Sequence, residues 1–196
     1  MAFTGQEHNG AEWVPGAREA RPCGWIRVSW ADLARLCRRL AEQCQADGRP
    51  EVVVALARAG YVPGAILASL LRCDLLTLVV PPARERGSGQ TERSVTASLR
   101  DRVRDRRVLV FDETARTGES LAWAVGIVTD AGALAVRTAV LIHPPGGPVP
   151  DYWAVTADIH LLQPWLGDCL WPAAKGILLA RSSALRRSPA RPVRCR

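Results

Sequence analysis

Val108-Leu109-Val110-Phe111-Asp112-Glu113-Thr114-Ala115-Arg116-Thr117-Gly118-Glu119-Ser120 carries four apolar residues into two adjacent carboxylates and then into a turn of small and polar residues. An apolar run without alternation is the pattern of a strand covered on both faces. At the carboxyl end of a parallel strand, outward-pointing groups face the crevice where α/β folds bind ligands. The small residues after the acids let backbone N–H groups approach a phosphate at the positive end of the next helix. Two neighbouring carboxylates can accept hydrogen bonds from vicinal hydroxyls. The order strand, acid, acid, cradle therefore describes a ribose 5-phosphate site. It is no Walker loop, which would need a Gly-Lys-Ser/Thr ending.

On either side of this stretch, the apolar runs at 52–56, 75–80 and 135–142 read as further strands, and 64–71 and 121–128 as helices between them. Strand alternating with helix at this spacing predicts an α/β fold with a Rossmann-like parallel sheet flanked by helices. Upstream, Ser29 and Asp32 form a capping-box pattern ahead of Leu33, Leu36, Cys37 and Leu40 at helical spacing, and Gly48-Arg49-Pro50 ends that helix. Between Pro81 and Arg107 lies a polar stretch centred on Gly87-Ser88-Gly89, expected to be a lid or disordered, with a short helix over Thr96–Val103. From Pro144 the pattern breaks into a small C-terminal hood, expected over about 144–175. A loosely attached segment over 1–24 and a disordered basic tail over 181–196 would flank a single domain at 25–180.

The chain has 196 residues, 48% of them hydrophobic and 23% charged, which suits one domain with a sizeable core. Its net charge is +7, but Arg181, Arg186, Arg187, Arg191, Arg194 and Arg196 crowd the end without an acid, so the body is close to neutral. Such a tail is expected to stay solvated and to touch nucleic acid only weakly, through counterion release. The six cysteines form no Cys-x-x-Cys pair, and no histidine sits at zinc-ligand spacing from them. No apolar run reaches the roughly 18 residues of a membrane helix, and 1–24 lacks the pattern of a secretory signal. The expectation is a reduced, cytoplasmic protein with no membrane association.

The central stretch resembles the phosphoribosyl-pyrophosphate (PRPP) motif of type I phosphoribosyltransferases, in which a hydrophobic strand ends in two acids and runs into Thr-Gly. Two more segments are similar in the right order. Ala57-Arg58-Ala59-Gly60-Tyr61-Val62-Pro63 looks like the family's pyrophosphate loop. Val136 to His143, with Pro150-Asp151-Tyr152 and Gln163-Pro164-Trp165, looks like the hood of the xanthine, guanine and hypoxanthine branch. The resemblance implies a Mg²⁺-dependent transfer of the 5-phosphoribosyl group from PRPP to a nitrogenous, purine-like base, as in purine salvage. It also implies a homodimer. Asp112 and Glu113 would hold the ribose hydroxyls, with Glu113 near Mg²⁺ and Arg116 beside the reacting centre. Thr114, Ala115, Arg116, Thr117, Gly118, Glu119 and Ser120 would cradle the 5-phosphate. Arg58, Ala59 and Gly60 would face the pyrophosphate, the stretch around Gly87 to Gly89 would close as a lid, and Tyr152, His160 and Leu161 would bind the base.

The sequence departs from the pattern unevenly. Arg116 replaces the acid that purine-specific members carry before Thr-Gly. Pro144 falls where a base-reading Lys is expected, and His160 where an aromatic residue stacks on the base. Leu166 replaces the acid after Pro-Trp, although Asp168 lies close, and Ala59 replaces a Gly. The sugar-phosphate half is kept and the base-reading half is changed, so the same fold also admits a non-catalytic PRPP- or nucleotide-binding regulator. His143 reads as an edge histidine, Trp153 and Trp165 as packing residues, and Glu92 and Glu119 as solvated charges.

Overall fold

The computed structural model describes residues 25–86 and 89–166. The expected N-terminal segment and basic tail, Asp168, and Gly87 at the centre of the expected lid lie outside the described residues. Among the described residues, seven strands and four helices follow in the order β1 (Trp25–Arg27), α1 (Trp30–Ala46), β2 (Val52–Ala57), α2 (Tyr61–Leu71), β3 (Asp74–Val79), α3 (Gln90–Val103), β4 (Arg107–Thr114), α4 (Glu119–Asp130), β5 (Ala135–His143), β6 (Tyr152–Thr156) and β7 (His160–Leu162). Five strands form one parallel sheet in the order β3-β2-β4-β5-β6, and β1 pairs with β7 in a separate two-stranded parallel ribbon. The predicted α/β class and parallel sheet are what the chain adopts.

Side-chain alternation divides the core. Val53, Ala55, Leu109, Phe111, Ala139 and Leu141 pack on one face, under α1 and α2. Val52, Val54, Leu56, Val108, Val110 and Val140 pack on the other, under α3 and α4. Burial on both faces is why β2 and β4 read as unbroken apolar runs. The Ser29–Asp32 capping box forms, and Leu33, Cys37, Leu40, Ala41 and Cys44 are the buried stripe of α1.

Two expectations change. The segment after Pro81 is largely helical: α3 begins at Gln90, where Glu92 accepts the Gly89 N–H at 2.9 Å. Its apolar stripe is thin, with only Thr96, Leu99 and Val103 buried, so its polar composition resembled a loop. Its first turn is tied to α4 where the Trp123 indole N–H donates to Glu92 at 3.2 Å, so Glu92 is engaged rather than solvated.

The second change concerns the hood. β6 joins the main sheet beside β5 instead of forming part of a cap. Asp151 at its start accepts from the Thr138 N–H at 2.7 Å and pairs with Arg137 at 2.9 Å, which sets the β5–β6 register. Tyr152, expected at the base site, is consequently packed against α1 toward the amino end of the sheet. Its hydroxyl donates to Asp47, the C-cap residue of α1, at 2.7 Å. Tyr152→Phe should therefore lower unfolding free energy by about 1–2 kcal/mol in denaturant titration, the cost of one buried hydrogen bond to a carboxylate, and leave ligand affinity unchanged.

Candidate active site

The carboxyl ends of β2, β3 and β4 open into a crevice of about 960 Å³, roofed by the residues that follow β7. The loop after β2 supplies Ala57, Arg58 and Ala59, and the end of β3 supplies Val79 and Val80. Glu113 comes from β4, and Leu161, Gln163 and Trp165 from the hood. Trp165 is held by the start of α1, its ring 5.8 Å from that of Trp30.

Asp112 and Glu113 are consecutive on an extended strand, so their side chains leave on opposite sides of it. Glu113 looks into the crevice. Asp112 lies against the β2–α2 loop: a Cβ on Gly60 would come within 2.6 Å of the Leu56 carbonyl oxygen and 3.3 Å of Asp112 Oδ1. Only glycine allows this approach. Burial pushes the Asp112 carboxyl up to about 7, against the steadying hydrogen bond it accepts from the Glu113 N–H at 2.7 Å. Burial also pushes Glu113 up to about 7; the neighbouring Asp112 adds to the shift and the Gln163 amide opposes it. Neither carboxyl is paired with a cation among the described residues.

The loop after β4 leads into the head of α4. Ala115 is buried, and the Thr114 hydroxyl is buried without a hydrogen-bond partner in the protein. The Thr117 hydroxyl accepts from the Glu119 N–H at 3.4 Å at the head of α4. Three contacts hold this loop. A Cβ on Gly147 would sit 3.4 and 3.5 Å from the Ala115 and Arg116 carbonyl oxygens, so the β5–β6 connection runs directly against it. Arg86 reaches Glu119 at 3.8 Å from the β3–α3 connection, so Glu119 is not simply solvated. Arg116 pairs with Asp158 at 3.3 Å and donates to the Ile159 carbonyl at 3.3 Å, which ties the cradle to the strand that opens the hood.

Arg116 thus acts as a strut to the hood. In the β2–α2 loop, Arg58 and Ala59 are exposed to the crevice, whereas Gly60 is buried and gives its N–H to the Leu56 carbonyl at 3.0 Å. Gly60 therefore serves the close approach to Asp112 rather than offering an amide. Leu161 lines the crevice, while His160 alternates away from it and pairs along β1 with Trp25. His143 is buried and packs at a tilt against Trp153 with ring centroids 5.3 Å apart; burial lowers its pKa. Gln163 is the residue that reading by motif undervalued. Quoted only as part of Gln-Pro-Trp, it is 4% exposed and faces Glu113.

Residues 29–165 match the family described as phosphoribosyl transferase domain. The chain belongs to that family. Among solved structures, the purine phosphoribosyltransferase of Pyrococcus horikoshii Ot3 is 24% identical, with a TM-score of 0.59 over 72% of this chain and 93% of that one. The xanthine-guanine-hypoxanthine phosphoribosyltransferase of Helicobacter pylori is 16% identical, with a TM-score of 0.55 over 74% and 94%. A hypothetical protein of Neisseria gonorrhoeae with bound ppGpp is 16% identical, with a TM-score of 0.58 over 82% and 97%. These likenesses are of fold. The type I phosphoribosyltransferase architecture expected from three short motifs is the one this family member has, and among its described residues no helix is long and apolar enough to cross a membrane.

Two outcomes test this geometry. Because both carboxyl pKa values are raised on folding, the folded state holds protons that the unfolded chain releases above about pH 4. Stability of the ligand-free protein should be full only below about pH 4, fall as pH rises from there to about 7, and level off above it. Thermal melts from pH 4.5 to 8 should show this slope, and Asp112→Asn or Glu113→Gln should flatten it. Separately, Arg116→Ala should cost about 1–2 kcal/mol in denaturant titration. Arg116→Asp, which restores the family's acid, should cost more by facing Asp158, and Asp158→Arg in the same chain should recover the loss.

Proposed function

We propose that this family member transfers the 5-phosphoribosyl group of PRPP to a nitrogenous, purine-like base with release of pyrophosphate. The observation that carries the reading is the placement of Arg58 and Glu113 on one crevice, beside a phosphate-type cradle whose Thr114 hydroxyl lacks a protein partner. In this reading the 115–120 amides and the Thr114 and Thr117 hydroxyls receive the 5-phosphate at the head of α4. Glu113 and Asp112 hold the ribose hydroxyls, and Arg58 with the exposed backbone at Ala59 receives the pyrophosphate.

The acid pair also fits Mg²⁺. Among the described residues no three His, Cys, Asp or Glu side chains come together to hold a metal. A hard cation bound through one or two carboxylates and completed by phosphate oxygens and water is the kind this site would take. Asp112 and Glu113 would hold it, and it would neutralise the leaving pyrophosphate. Enclosure beneath Trp165 and Leu161 keeps water from a ribosyl centre that it would otherwise intercept. The homodimer and the cytoplasmic, salvage setting belong to the same reading by analogy with the family.

A second reading is favoured by one observation. Arg116 occupies the position of the acid that assists proton movement at the base, and it is engaged with Asp158. On that reading the protein binds PRPP or a nucleotide as a regulator without turnover.

Pyrophosphate release from Mg²⁺-PRPP, measured against purine and pyrimidine bases, separates the two. Turnover is expected with at least one base, and Asp112→Asn should lower it by about two orders of magnitude or more. PRPP binding without release from any base would establish the regulator instead.

A further inference from the structure

The stretch that ends β4 and opens α4, Asp112 to Ser120, carries three acids, Asp112, Glu113 and Glu119, and one base, Arg116. Arg116 is directed to Asp158 and the Ile159 carbonyl. Glu119 stands in the first turn of α4. A carboxylate is favoured there by the positive end of the helix, which is also the end that draws a phosphate. Two anions then compete for one field. A cation to offset Glu119 has to come from another part of the chain.

Arg86 supplies it. The 3₁₀ turn Ala83–Glu85 ends at this residue, whose backbone N–H donates to the Ala83 carbonyl at 3.3 Å. Its side-chain Nε–H donates to the Pro81 carbonyl at 2.9 Å, so the guanidinium is aimed by its own segment before it meets α4. It then lies 3.8 Å from the Glu119 carboxylate. That separation is too long for a hydrogen bond, and the attraction is one of charge. The Arg86 side chain is 20% exposed against 47% for Glu119, so water screens this cation less than the carboxylate it faces. The other two charges of the segment, Arg84 and Glu85, pair with each other at 3.1 Å and are largely exposed. Arg86 is the charge that the β3–α3 connection turns towards the head of α4.

We infer that Arg86 is a positioning residue for the phosphate end of the site: it offsets the Glu119 carboxylate and so keeps the head of α4 receptive to a phosphate dianion. It acts through Glu119 and not by touching the ligand. The assignment rests on the phosphoribosyl reading above. It makes the sugar-phosphate half of the site depend on a residue that lies outside the stretch from Val108 to Ser120.

Titration calorimetry with ribose 5-phosphate tests it on the full chain, without Mg²⁺ and without turnover. The proteins are wild type, Arg86→Gln, Arg86→Lys, Glu119→Gln and the double variant Arg86→Gln/Glu119→Gln. Arg86→Gln should weaken binding roughly threefold or more, the scale of one charge at a helix end, and Arg86→Lys should recover most of that loss. Glu119→Gln should bind at least as tightly as wild type. The double variant should bind within about twofold of wild type, because without the carboxylate the arginine has nothing to offset. The Arg86→Gln loss should shrink as the salt concentration is raised from about 0.02 to about 0.5 M. The double variant lacks the same tie between segments as Arg86→Gln, so a merely structural role would leave the two equally weak.

A double variant no better than Arg86→Gln would overturn the assignment, since Arg86 would then hold the loop in place or meet the phosphate itself. Unchanged binding in Arg86→Gln would overturn it too, as would weaker binding in Glu119→Gln or a loss that high salt leaves intact. A wild-type protein that fails to bind ribose 5-phosphate would remove the phosphoribosyl reading itself, and this assignment with it.

Discussion

Two carboxyl groups on consecutive residues are enclosed at the end of β4 without a partner cation among the described residues, and the rest of the site is arranged around that charge. Enclosure in low dielectric disfavours the ionised forms, which is why both groups titrate near neutrality instead of near pH 4. A fold shaped only by packing would place leucine or valine there. Two acids stand there instead, and burial raises the pKa of both.

The enclosure has identifiable sources. The β2–α2 loop presses Gly60 onto Asp112, and no larger side chain fits between Leu56 and the carboxylate. The hood lays Gln163 against Glu113 and sets Trp165 on Trp30. The cradle is held in turn by Gly147, by Arg86 on Glu119 and by Arg116 on Asp158. Each of these contacts joins segments far apart in sequence, so the cradle and the hood are mechanically one unit. A substitution of Arg116 accordingly reaches the hood side of the crevice, although the residue lies in the loop after β4.

Arg116 also shows how a family position changes its chemistry. The motif places it where relatives in the purine-specific branch keep an acid, which suggests a lost proton acceptor beside the base. In the folded chain its guanidinium instead joins Asp158 and the Ile159 carbonyl and so fixes the entry to β7.

The parallel α/β core was legible in the chain before any fold was known, because unbroken apolar strands and capped amphipathic helices are local patterns that long-range packing only confirms. The acid pair and the cradle were legible too, since both lie within one contiguous stretch from Val108 to Ser120. Side chains with two suitable environments were settled by packing alone. Tyr152 reads equally as a hood aromatic or a core residue, and only the β5–β6 pairing sends it to Asp47. α3 was masked by a thin apolar stripe among arginines, and its helix is secured by Trp123 from a distant element. Gln163 and Arg116 differ in the same way: a polar side chain's role is set by which partner lies within about 3 Å, and that distance is fixed by the packing of remote segments.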